Sequence, residues 1–324
     1  MVFARFNDRL VQAVEVVFDG FFLFAALVMS LVSPLPMREG VSASRVWLPN
    51  GQWKTIGDYF VVRFPQVTRD SWLRRINRGE LVDEKGDAVT LEHNYRCGAC
   101  IYYYRERAIE PPIPFQEIIL FQNDELLVVD KPHFLPVTPG GRFLRETLLV
   151  RLKLRTGLET LSPIHRLDRE TAGVMMLSVN PATRSLWQSL FRKKLVTKYY
   201  EALATYRGDL SFPLERQSRV ERDDAFFRMK EIDGEPNTHT LIDLIEIREN
   251  CALYGLTPVT GKMHQLRVHM NALDIPILND GFYPVAHPAG QDNFSKPLKL
   301  LAKHISFIDP ITNESRAFES TQSL

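Results

Sequence analysis

Three prolines fall within the nine residues Ile109–Glu117, IEPPIPFQE. Each fixes φ and removes an amide donor, so the stretch can neither continue a helix nor occupy a central strand. What remains is stiff, extended backbone, and it reads as a linker. A chain of 324 residues can hold one to three domains, and this linker divides it into a small upstream body and a larger downstream one.

The upstream part opens unusually. Phe21–Val32, FFLFAALVMSLV, is apolar, and no charge falls between Gly20 and Arg38. That is short of the roughly 20 residues a membrane span needs. Asp8, Glu15 and Asp19 spoil the basic leader of a signal peptide. Residues 1–46 are expected to be an extension without fixed structure, with Met37 as a candidate true start. N-terminal sequencing of protein made from the native gene checks this; residues upstream of Met37 would refute it.

Residues 47–108 read as a small module. From Trp47 to Phe64 short apolar runs alternate with turns, suggesting β structure. Thr68 or Asp70 can cap a helix through Asn77 that Gly79 ends. ELVDEKGDAVT then suggests a hairpin turning at Lys85–Asp87, and IYYYRE a closing strand. The helix carries Arg69, Arg74, Arg75 and Arg78 against Asp70 alone, which suits phosphate contacts, or simply a solvated face.

Net charge is +1 with 45% hydrophobic and 24% charged residues, ordinary for a globular protein and silent about partners. Three cysteines make a disulfide framework unexpected. Cys97 and Cys100 form a single CxxC with no second pair at zinc spacing, so no metal is expected; Cys251 reads as a small half-buried thiol. Gly140-Gly141 is neither a dinucleotide fingerprint nor a P-loop, so no cofactor is implied.

Three segments of the large domain, 118–314, concentrate chemistry. HRLDRETAG, His165–Gly173, sets Asp168 between Arg166 and Arg169 before the apolar run VMMLSV. A carboxylate entering such a run needs a cationic partner, and paired it stays ionised, as a nucleophile or base must. LFRKKLVTKYYEALATYRG combines Arg192, Lys193, Lys194 and Lys198 with a strand that sends Tyr199 and Tyr200 to opposite faces. GKMHQLRVHMNA, read as a strand, places Gln265, Arg267 and His269 on one face, with Arg267 the natural partner of Asp168. It is not HExxH, which argues against zinc hydrolysis.

Together these segments resemble the RluA family of pseudouridine synthases, which isomerise uridine to pseudouridine in ribosomal or transfer RNA. The family's HRLD motif reads HRLDRETAG here, its Lys-x-Tyr-x-Ala reads KYYEA, and its GRTHQIRVH reads GKMHQLRVH, continued by IPILNDGFY. NDELLVVDKPHFLPVTP resembles the opening of the catalytic domain, and LLAKHISFIDP its closing strand. The resemblance covers about residues 115–312, and more weakly an N-terminal RNA-binding module over 68–106. It implies an α+β fold: a catalytic domain with a mixed, mostly antiparallel sheet, and a small α+β module. The tail 315–324 is expected to lie outside the domain.

By the resemblance Asp168 is the catalytic aspartate, Arg267 its salt-bridge partner and Tyr200 the active-site tyrosine. Arg166 would fill the space an extruded nucleotide leaves. Arg69–Arg78, Arg142–Arg155 and Arg192–Lys198 would contact phosphates. Asp168 would act at the ribose, attacking the anomeric carbon or removing the 2′ proton. Tyr200 would stack on the base, its hydroxyl serving to remove the carbon-5 proton. His165 and His264 are read as packing beneath the site, and Glu170 as capping a turn or binding nothing. The departures are Thr138 for a histidine and Lys262-Met263 for Arg-Thr; Lys262 keeps the charge but not the bidentate fork. The expected protein is a cytoplasmic monomer acting on structured RNA, large-subunit ribosomal RNA first and transfer RNA close behind, with no membrane association. The alternative is a catalytically silent RNA-binding protein on the same fold.

Overall fold

The computed structural model describes residues 33–106, 110–223, 228–249, 251–286 and 292–324; the apolar run Phe21–Val32 lies outside them. Contacts divide the chain into two units, residues 1–108 and 109–324, considered separately below.

In the first unit, strands β1 (Ser44–Trp47), β2 (Leu81–Val82) and β3 (Cys100–Tyr103) form an antiparallel sheet in the order β1-β3-β2. Helices α1 (Ile56–Arg63) and α2 (Arg69–Asn77) supply Phe60 and Trp72, and the α1 C-cap Phe64, to a core shared with Leu81, Ile101 and Tyr103. The β structure suggested for 47–64 is therefore corrected: only its first residue is strand. Thr55 Oγ1 accepts from the Asp58 amide while the Asp58 carboxylate accepts from the Thr55 amide, a capping box that starts α1. Helix α2 begins at the Thr68 cap, and Gly79, at φ 67°, leaves it in the left-handed region that glycine occupies without strain. Packing also begins upstream of both Met37 and residue 47, since Leu35 is buried with Val82, Tyr102 and Tyr104.

The second unit is built on one eleven-stranded sheet. Its strands are β4 (Ile118–Gln122), β5 (Leu126–Lys131), β6 (Ser162–Pro163), β7 (Ala172–Ser178), β8 (Val196–Thr205), β9 (Leu214–Arg222), β10 (Met229–Ile232), β11 (Thr238–Arg248), β12 (Cys251–Pro258), β13 (Leu300–Ile308) and β14 (Ser315–Glu319). The order is β10-β9-β11-β12-β8-β13-β7-β5-β4, with β14 on β13 and β6 on β7. All described pairings are antiparallel except β13 with β7, so the sheet is mixed and mostly antiparallel.

Strands β5 and β7 are buried on both faces, which is why their sequences run apolar without alternation. Leu127, Val129, Met175 and Leu177 pack under Leu148 and Leu152 of α3 (Leu148–Thr156). Leu126, Val128, Val174 and Met176 pack with Trp187 and Leu190 of α4 (Arg184–Arg192). Gly173, at φ 114°, is required where β7 meets β13: a Cβ there would collide with the Ala302 backbone. This close parallel crossing fixes the direction of the loop between β6 and β7, which carries Asp168.

The expected separate tail is corrected as well. Ser315–Glu319 pair with β13, and the last residues clasp buried Asp130. Its carboxylate accepts from Ser320 Oγ (2.8 Å), the Thr321 amide (2.8 Å), Thr321 Oγ1 (2.9 Å) and Gln322 Nε2 (2.6 Å). Deleting residues 320–324 strips these donors from a buried carboxylate, so we expect a loss of roughly 1–3 kcal/mol, read as an earlier thermal melt.

Candidate active site

A cleft of about 780 Å³ opens between the β6–β7 loop, the start of β8 and the segment entering α5 (Gln265–Ala272). Asp168, Tyr200 and Arg267 all line it. The expected strand at 265–269 is corrected to a helix, begun at His264 in the left-handed region (φ 54°). Gln265, Arg267 and His269 do not share a face as read. Each is buried and individually bonded: Gln265 Oε1 accepts from Thr260 Oγ1 (2.7 Å), and His269 Nε2 meets Thr238 Oγ1 at 2.9 Å.

Arg267 is the centre of the charge arrangement. Its Nε and Nη2 donate bidentately to Asp280 at 2.8 and 2.6 Å, and both side chains are only 1% exposed. Nη1 points the other way, 3.4 Å from Asp168 Oδ2 and 3.8 Å from Glu170 Oε2. Burial works against the guanidinium's charge, but the Asp280 hydrogen bonds and the nearby carboxylates outweigh it and hold the group well above its ordinary value. The cation that faces Asp168 is thus permanently charged and already anchored. The spacing to Asp168 is longer than that to Asp280, leaving the Asp168 carboxylate partly exposed to the cleft and free to react.

The loop bearing Asp168 is braced from beneath. Lys131, fully buried, donates from Nζ to the carbonyls of Pro132 (3.0 Å), Leu135 (2.9 Å) and Arg169 (3.2 Å). Burial pushes its ammonium down to about 7, while Glu170 and Asp168 pull it upward. His133 Nδ1 lies 2.6 Å from the Glu170 carbonyl, and Arg169 makes a bidentate pair with Asp292 at 2.9 and 2.7 Å. Glu170, read as capping a turn or binding nothing, instead pairs through its side chain with Arg169 at 2.9 Å.

Tyr200 packs between two apolar clusters, and burial first, then Asp168, raise its phenol far above the ordinary range. It stays protonated across neutral pH. His165 stacks on Phe191 with ring centroids 4.6 Å apart and accepts from the Met176 amide at 3.1 Å; burial pushes it down to about 3. His264 stacks on Phe282, meets Tyr283 Oη at 3.1 Å, and lies 3.8 Å from Asp168 Oδ2. Both histidines pack as read and also wall the cleft.

The sequence pattern of the RNA pseudouridylate synthase family matches residues 125–272. The dual-specificity RNA pseudouridine synthase RluA of Haemophilus influenzae is 32% identical over 219 residues, 65% of this chain and 95% of that protein. The chain belongs to the RNA pseudouridylate synthase family. An uncharacterized RNA pseudouridine synthase of Synechocystis is 28% identical over 230 residues, 70% of the synthase and 78% of that relative. In fold, the synthase matches human RNA pseudouridylate synthase domain containing 1 with a TM-score of 0.53 at 23% identity, over 66% of this chain and 86% of that one. The synthase is accordingly an enzyme, an isomerase acting on RNA.

Of the side chains read as RNA contacts in the synthase's second unit, Arg166, Arg192, Lys194 and Lys262 line the cleft. Lys193, at the end of α4, is exposed but not among the lining residues. Arg151 and Arg155 pair with Glu117 instead of facing outward freely. In the first unit Arg75 corrects the picture of a uniformly basic helix: it is 5% exposed, with its guanidinium 4.6 Å from the Trp72 ring. Arg69 pairs with Glu92, and Arg78 with its near neighbour Glu80 and with Glu106, so acids both near and distant in sequence balance that face. Arg74 donates to Ser71 at 2.9 Å. Sequence reading missed Asp280 and Lys131 as parts of the site. Asp280 lies in the quoted NDG segment, where it looks like an ordinary turn residue. Among the described residues no group of three or more His, Cys, Asp or Glu could hold a metal ion, and no helix is long and apolar enough to cross a membrane.

Proposed function

We propose that the chain is an RluA-type synthase that converts specific uridines in large-subunit ribosomal RNA, transfer RNA or both, with Asp168 acting at the ribose. The observation that carries this reading is Arg267, locked on Asp280 by two donors while its third nitrogen faces Asp168. A preorganised cation stabilises charge on the carboxylate without reorganising during the reaction. In either course, attack on the anomeric carbon or removal of the 2′ proton, an ionised carboxylate is needed at a site open to the ribose. One relative is named a dual-specificity RNA pseudouridine synthase and another, from Saccharomyces cerevisiae, a tRNA pseudouridine(32) synthase; both names support a substrate range wider than one RNA that includes transfer RNA. The cytoplasm is the compartment where both RNA classes would be met.

Tyr200 stacks on the extruded base, and its hydroxyl relays the carbon-5 proton once the new bond has formed. A phenol held protonated does this in concert, its oxygen taking the carbon-5 proton as its own proton passes on, by way of solvent, to the base nitrogen freed when the original glycosidic bond broke. Tyr200→Phe is therefore expected to leave RNA binding within about twofold and to lower turnover about 10²-fold, the lower end of general acid–base effects. Comparing dissociation constants with single-turnover rates checks it.

The experiment that tests the function is pseudouridine mapping of total RNA from cells with the intact gene, a deletion, and Asp168→Ala. A site lost in the deletion and restored only by the wild-type gene names the substrate and assigns Asp168 together. Unchanged maps with tight RNA binding would overturn the catalytic assignment.

A further inference from the structure

Lys198 stands two residues before Tyr200 on β8, so both side chains project from the same face of the sheet, and both line the cleft. An ammonium has three donors, but the hydrogen bond found for Lys198 is one, from Nζ to the Thr260 carbonyl at 3.2 Å. Among the described residues no carboxylate lies within ion-pair distance of it. The cleft wall carries six basic side chains, Arg166, Arg192, Lys194, Lys198, Lys262 and Arg267, and a single carboxylate, Asp168, already facing Arg267. A half-buried ammonium among like charges, with donors unspent and aimed into a cavity, has the geometry of an anion-binding group. Burial, reinforced by Lys194, pushes it down to about 8, so it remains mostly protonated at neutral pH.

We propose that Lys198 binds the backbone phosphate adjoining the nucleotide held in the cleft, fixing the ribose over Asp168. The inference rests on the reading of the cleft as the site that takes a uridine out of structured RNA. Lys198 is half-buried where it lines the cleft, near enough to His165 to disfavour a charge on that ring, whereas Arg192, Lys194 and Lys262 are exposed. A phosphodiester meeting Lys198 would lie beside Thr260 while Tyr200, two residues along the same strand face, meets the base. Lys198 is thus a binding and positioning residue rather than a catalytic one.

The test uses the full chain. Binding of a pool of deproteinised large-subunit ribosomal and transfer RNA is measured across salt in an Asp168→Asn background, so that turnover plays no part. Lys198→Gln keeps a donor for the Thr260 carbonyl and removes the charge; Lys198→Arg keeps the charge. The expected results are about tenfold weaker binding for Lys198→Gln, a salt slope smaller by about one, and recovery of most of the affinity with Lys198→Arg. With Asp168 restored, on an RNA found by mapping, KM should rise about tenfold and kcat change much less. An unchanged salt slope in a Lys198→Gln protein that melts like wild type overturns the proposal. So does a loss confined to kcat. Failure of the wild type to convert any uridine would sink the functional reading instead, and leaves the slope comparison standing as its own answer.

Discussion

Asp168→Asn is expected to lower pseudouridine formation by at least about a thousandfold, the scale on which loss of a nucleophile or base acts in other enzymes. The substitution keeps the size of the side chain and leaves an oxygen to accept from Arg267 Nη1, now 3.4 Å from Asp168 Oδ2. It removes the charge and turns the second carboxylate oxygen from an acceptor into an amide donor. Because the Asp168 side chain is partly open to the cleft while Arg267 and Asp280 are each 1% exposed, the fold does not depend on Asp168 as it does on the buried pair. Thermal stability and RNA affinity should therefore stay close to wild type while turnover disappears. Single-turnover assays on an RNA named by mapping, beside melts and binding curves of the same preparation, check all three. A variant retaining a tenth of the wild-type rate would mean that another group acts at the ribose.

The elements that carry the site were legible where local chemistry alone decides them. Thr68 and Gly79 bracket α2 because capping is a short-range effect, visible in a few adjacent residues. The run after Gly173 reads as a buried strand because both of its faces are covered. The alternation QLRVHM, by contrast, mimics a strand with polar Gln265, Arg267 and His269 on one face, yet it is a helix. The period carries no information there, since all six residues from Gln265 to Met270 are buried and their polar atoms find distant partners in Thr260, Asp280 and Thr238. The start of α1 did leave a signal, the Thr55–Asp58 capping box, outweighed by the turn-like GD that sits inside it. Charge balance on α2 was legible only at its end, where Glu80 follows Arg78 by two residues: Glu92 and Glu106 reach Arg69 and Arg78 through the fold, and Arg75 turns inward onto Trp72. Sequence motifs thus led to side chains that meet in one cleft, Asp168, Tyr200 and Arg267, but not to what holds them there.

The group that holds them yields the second large effect. Replacing Arg267 by methionine leaves Asp280 buried without its bidentate partner, its remaining donors being the Phe282 and Tyr283 amides at 2.8 and 3.3 Å. Breaking a buried pair from one side costs roughly 3–5 kcal/mol, which for a unit of this size corresponds to a fall in Tm on the order of 10 °C. The same variant removes the cation facing Asp168, so activity should be lost even at temperatures where the protein is folded. The two losses can be separated. In the double variant Arg267→Met with Asp280→Leu no charge remains buried and unpaired, and packing against Phe282 and Tyr283, which the guanidinium now faces at 4.8 and 5.6 Å, is retained by apolar atoms. Replacing a buried ion pair with apolar groups of similar volume is commonly neutral for stability. The double variant should recover most of the Tm and none of the turnover. Recovery of both would reduce Arg267 to a structural prop, whereas recovery of stability alone isolates its electrostatic hold on Asp168.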